Sequence, residues 1–88
     1  MSTGWEKIGE CGVDSGTIII GDPCYYMDGK LTQKEVYDGN FKSKELKYEM
    51  GHTGKGVIIN EFGGDGVFPV FIKRDSDGLI AEATIRFQ

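Results

Sequence analysis

Fourteen glycines in 88 residues, concentrated around Gly9–Gly16, Gly51–Gly56 and Gly63–Gly66, constrain the fold of this chain more than any other feature. Glycine reaches the backbone conformations that tight turns need and weakens helix interiors, so such clusters between β-branched runs describe short strands joined by sharp turns. No internal repeat and no linker divides the sequence, and its length suits a single domain over 1–88 with one modest core.

The expected strands follow from this punctuation. Trp5 to Glu10 is the first and Gly16 to Ile20 the second; Thr17 to Ile20 is apolar or β-branched throughout, as in a central strand covered on both faces. Asp22-Pro23 predicts a turn. Thr32 and Glu35 have capping-box spacing with Leu31 and Val36 as a staple, which predicts a short helix from about Gln33 to Asp38 ended by Gly39. Phe41 to Met50 fits helix or strand spacing and is read as a surface element.

Val57 to Phe62 and Val67 to Arg74 are further strands around the loop Gly63-Gly64-Asp65-Gly66, with Pro69 predicting an edge or a bulge. Asp75 to Gly78 reads as a hairpin turn. In the last strand Leu79, Ala81, Ala83, Ile85 and Phe87 alternate with Glu82, Thr84, Arg86 and Gln88, predicting one face inward and one in water. The fold class is α+β, mainly antiparallel β, with five or six strands and one short helix.

Charge narrows the partners. Fourteen acids against ten Lys plus Arg give a net of −4, and the basic residues scatter except near Lys42, Lys44 and Lys47, so a nucleic-acid backbone is not the expected partner. No stretch reads as a signal peptide or a membrane span, which places the expected location in a cytoplasm. There Cys11 and Cys24 are expected as thiols, and two thiols with one histidine fall short of a structural zinc site. No cofactor is implied. A chain this small gains from sharing a core or a site, so a homo-oligomer is a natural expectation.

The candidate site brackets the second strand. Asp14, Ser15 and Thr17 stand at one end and Asp22 and Cys24 at the other, more hydrogen-bonding groups than a turn requires. The structural alternative, and the favoured one, is that Asp14 and Ser15 form an Asx or Ser turn while Asp22 accepts backbone N–H groups within its own Pro turn. Asp65 and Gly66 add an acid within a glycine loop flanked by Phe62 and Phe68, a setting that suits a flat ring carrying N–H groups, such as a nucleobase. Cys24 with His52 as its base would make a nucleophile, but a small buried or half-buried thiol is the favoured reading of Cys24. Gly51 to Gly56 lacks the spacing of a phosphate-binding loop, but its amides with Lys55 or His52 could hold an anion. Asp75-Ser76-Asp77-Gly78 lacks the later ligands of a calcium loop.

Val13-Asp14-Ser15-Gly16 through Gly21-Asp22-Pro23-Cys24-Tyr25, then Phe62-Gly63-Gly64-Asp65-Gly66-Val67-Phe68-Pro69-Val70-Phe71 to Asp77-Gly78 and Ile85-Arg86-Phe87, resembles a family of small β-rich domains of unassigned function in bacteria and their phages. The motifs cover about half the chain and leave out the middle, Lys30 to Lys55. The resemblance implies a β-rich fold and one constellation of Asp14, Ser15, Asp22, Pro23, Asp65, Gly66 and Pro69, and carries no catalytic residues.

The leading expectation is a non-enzymatic binding module, plausibly phage-encoded, that holds a small polar ligand, a nucleotide-derived signal being one candidate, between the bracketed strand and the glycine loop, and so antagonises host defence signalling. The alternatives are a hydrolase or lyase using Asp14, Asp22 or Asp65 with His52 or Cys24, and an inhibitor acting through a protein interface.

Overall fold

The computed structural model describes residues 4–27, 36, 42–46 and 54–88. They form six strands and a short helix, in the order β1 (Trp5–Val13), β2 (Ile18–Gly21), α1 (Pro23–Met27), β3 (Lys44–Leu46), β4 (Gly56–Ile59), β5 (Gly66–Arg74) and β6 (Ile80–Ile85). All pairings are antiparallel, in two three-stranded sheets, so the chain is a β-rich α+β protein. Among the described residues no helix is long and apolar enough to cross a membrane. Of the helix expected from Gln33 to Asp38, only Val36 is described; it is helical and half-buried, and the rest of that expectation lies outside the described residues.

The chain divides into two compact units, one comprising Met1–Asp14 with Asp65–Gln88 and the other Ser15–Gly64. The first holds the sheet β1-β5-β6. Its β1 runs to Val13 instead of stopping at Glu10, because the Gly9 and Gly12 backbones stay extended and paired with β5. One residue, Ile8, bulges out where the register shifts between Lys7 and Gly9.

Pro69 lies in register in β5, the central strand, and not at an edge or a bulge as its sequence suggests. Its carbonyl accepts the Arg86 N–H at 3.1 Å. In an antiparallel strand a residue's N–H and C=O face the same neighbour, so the donor that proline lacks would also face β6. β6 ends at Ile85, and the gap therefore falls where the ladder has already run out.

The hairpin between β5 and β6 forms as its residues predict. Asp75 Oδ1 accepts the N–H groups of Asp77 and Leu79 at 2.9 and 3.0 Å, and Gly78 takes a φ of 85°. The alternation read along β6, however, breaks. Lys73 pairs with Glu82 but Arg74 pairs with Ile80, so Ala81 is an extra residue, and Ile80 instead of Leu79 or Ala81 joins the Ala83–Ile85 face. Leu79 is left 66% exposed, and of the expected inward face only Ile85 and Phe87 are even half-buried.

The second unit holds the sheet β2-β4-β3. β4 is its central strand and Ile58 its most buried side chain, at 0% exposure, with Ile18, Leu46 and Phe62 also buried. β2 is an edge strand with Ile20 52% exposed, not the doubly covered strand its composition suggests. It also starts late, at Ile18, because Ser15 Oγ donates to the Thr17 carbonyl at 3.4 Å and holds the chain in a turn. Within the surface segment Phe41 to Met50, Lys44–Leu46 pairs with β4 as β3; residues 41 and 47–50 lie outside the described set. β4 stops at Ile59 instead of reaching Phe62, since Glu61 takes a φ of 67° and turns the chain. Gly63 and Gly64 follow at 103° and 95°, conformations that only glycine adopts without strain.

Candidate functional site

The residues singled out in the sequence fall into three places. In the first unit the last rung of the β1–β5 ladder pairs Val13 with Gly66, so Asp14 and Asp65 flank one ladder end on opposite strands. Both carboxylates are exposed. Gly66 is closely covered, since a Cβ there would meet the Phe68 ring at 3.1 Å.

In the second unit Ser15 and Thr17 stand before β2. The Thr17 hydroxyl donates to Asn60 Oδ1 at 2.6 Å, and the Asn60 backbone N–H donates to Ser43 Oγ at 3.0 Å. Ser43 Oγ also lies 3.1 Å from the Asn60 carbonyl. Asn60 is 8% exposed, and these contacts tie the end of β4 to the segments on either side of it.

Asp22 and Cys24 lie beyond the other end of β2. Instead of the turn read from Asp22-Pro23, Asp22 caps a helix: its Oδ1 accepts the Cys24 N–H at 2.9 Å and its carbonyl accepts the Tyr25 N–H at 3.1 Å. Pro23 occupies the first helical position, where a missing N–H costs nothing. One turn later the Tyr26 hydroxyl sits over the rung Gly21–Gly56, where a Cβ on Gly21 would collide with it and lie 2.7 Å from the Lys55 carbonyl oxygen. Burial, and secondarily the negative charge of Asp22, pushes the Tyr26 phenol above its ordinary pKa, so it remains a neutral hydroxyl.

Cys11 and Cys24 are both in the thiol form, with no disulfide between them. His52, the base considered for Cys24, lies outside the described residues. Lys55, considered as an anion ligand, is 7% exposed and so is not presented to solvent. Among the described residues no three His, Cys, Asp or Glu side chains gather as a metal site.

A concavity of about 340 Å³ opens elsewhere, on the first unit, lined by Val67, Phe68, Pro69, Phe71, Arg86, Phe87 and Gln88. None of Asp14, Ser15, Thr17, Asp22, Cys24, Asp65 or Gly66 lines it, although Gly66 and Val67 are consecutive. Phe68 and Phe87 meet edge to face, 5.2 Å between centroids at 74°. The Arg86 guanidinium lies 3.9 Å from the Phe71 ring centroid and 5.6 Å from that of Trp5. Lys73 approaches the same Trp5 ring at 5.7 Å.

The alternation along the last strand puts Arg86 on a water-facing stripe, and nothing in the sequence marks Trp5 or Phe71 as its partners. The available signal was β5, whose odd positions Val67, Pro69 and Phe71 are apolar although Thr84 and Arg86 oppose them on the face assigned to water. Apolar groups on a polar face mark a surface that something else covers.

No family model, no curated protein and no solved structure matches the chain. The resemblance to small β-rich domains of bacteria and phages therefore rests on its motifs.

Proposed function

We propose that the protein is a small non-enzymatic binding module whose ligand is a polar, ring-bearing small molecule, with nucleotide-derived compounds as the candidate class. The observation that carries this reading is the groove of the first unit: phenylalanine rings and a proline form its walls, and Arg86 and Gln88 supply polar groups. Ligand sites combine apolar walls with a few polar groups in this way, and a Gln side chain offers both a donor and an acceptor to a heterocycle edge. The hydrogen bonds of Ser15, Thr17 and Asp22 serve a turn, a buried contact and a helix cap, which supports the groove over the bracketed strand as the binding surface. If the gene is carried by a phage, sequestration of a nucleotide signal by this groove would blunt host defence.

Equilibrium dialysis against a nucleoside and nucleotide panel, followed by mass analysis of the recovered compounds, tests the reading. Retention of an intact compound supports a binding module. Recovery of a converted product would replace it with the hydrolase or lyase reading, and no retention of any compound would favour a protein partner.

A further inference from the structure

Four cations stand on the described part of the sheet β1-β5-β6, and they divide into two kinds. Lys7 pairs with Glu10 at 3.7 Å and Arg74 with Glu6 at 3.4 Å. Lys73 and Arg86 have no carboxylate partner among the described residues; both lie against Trp5 instead.

Arg86 is the more telling, because its guanidinium is also packed against Phe71 and lines the groove. Stacking uses the π face of a guanidinium and leaves its N–H edge available in the plane, and that edge fits phosphate oxygens two at a time. Two aromatic contacts also restrict the side chain, so less freedom is lost when an anion arrives. The chain carries a net charge of −4, yet no described carboxylate pairs with this guanidinium.

We infer that the groove recognises an organic phosphate of mononucleotide size, with the phosphate on the N–H edge of Arg86 and the ring against Phe68 and Phe87. Lys73, on the other contact of the same indole, adds long-range attraction for a dianion. The volume is consistent with a small ligand: about 340 Å³ lies near the small end of ligand pockets, roughly 300–1,000 Å³, room for one base with its sugar and phosphate. The inference rests on the binding reading above and adds the anion and the residue that holds it.

The test is a calorimetric titration with AMP, adenosine and inorganic phosphate, run alongside NMR of the Arg86 Nε–H. AMP is expected to shift that resonance and to bind at least about tenfold more tightly than adenosine, the gain of one charge-assisted contact. Arg86→Gln should lose that advantage while remaining folded, its melting temperature lowered only by the lost ring contacts, whereas Arg86→Lys should keep part of it, retaining charge without the fork. Equal affinity for AMP and adenosine, or full AMP affinity in Arg86→Gln, would overturn the role of Arg86 and leave a ring-binding groove standing. Phosphate moving the resonance as strongly as AMP would overturn the ring contact. If neither AMP nor phosphate moves it, the inference fails, and if adenosine also fails to bind, the binding reading fails with it.

Discussion

In the β2-β4-β3 unit polar groups are answered from within: Thr17 finds Asn60, the Asn60 backbone finds Ser43, and the exposed Asp22 finds the Cys24 amide at the start of α1. In the β1-β5-β6 sheet two cations rest on aromatic rings with their donors unclaimed by any described carboxylate. Among the described residues no buried side-chain nitrogen or oxygen lacks a hydrogen-bond partner, so the contrast lies at the surface, where satisfaction is optional. Polar groups that are used up internally build the fold, and polar groups held in place yet unspent are available to a ligand.

The largest effects should come from the two cores. Ile58→Ala in one sheet and Ile72→Ala in the other, at 0% and 2% exposure, should each cost about 2–5 kcal/mol in urea unfolding. Amide exchange should rise first at β4 in the former and at β5 in the latter; the same amides responding in both would dissolve the distinction between the units.

Gly21→Ala comes next, at about 1–3 kcal/mol, because the new methyl has the Lys55 carbonyl and the Tyr26 hydroxyl in its place. Thermal unfolding reads this, and Tyr26→Phe in the same background should recover part of the loss. Full stability in Gly21→Ala would mean that the glycine rung is not tightly covered.

Thr17→Val tests the contrast most directly. It removes the 2.6 Å hydrogen bond and leaves Asn60 Oδ1 buried and unmet, a loss of about 1–3 kcal/mol in stability with AMP affinity intact. Weakened binding with unchanged stability would reverse the assignment of roles between the sheets. Smallest is Glu61→Gly, which relieves a left-handed backbone and should change stability by no more than about 1 kcal/mol, in the favourable direction. A clear destabilisation would show that the Glu61 side chain matters more than its backbone.

Much of the architecture was legible because turn chemistry is local. Asp75 to Gly78 and the glycines at 63 and 64 adopt the conformations their residue types favour. What misled was the assumption that apolar content reports position in a sheet: Ile18 to Ile20 look like a central strand but form an edge, while Pro69 looks like an edge residue but sits in a central strand. Burial depends on neighbours distant in sequence, and periodicity within a strand cannot count them. The Ala81 bulge misled for a related reason, since one extra residue reverses the faces on either side of it. The groove was hidden because its parts come from β5 and from the residues that follow β6, and the contact of Arg86 with Phe71 leaves no spacing signature in either.

Pro69 has one more effect, on the alignment of strands. A position that cannot donate is tolerated only opposite a carbonyl that β6 no longer needs to satisfy, and in the observed register that carbonyl belongs to Arg86. Were β6 to slip by two residues and bring Thr84 opposite Pro69, a carbonyl in mid-ladder would be orphaned, at roughly 1–3 kcal/mol if shielded from water. The proline thus acts as a proofreading mark for the hairpin, penalising a misaligned strand that hydrophobic alternation alone would accept.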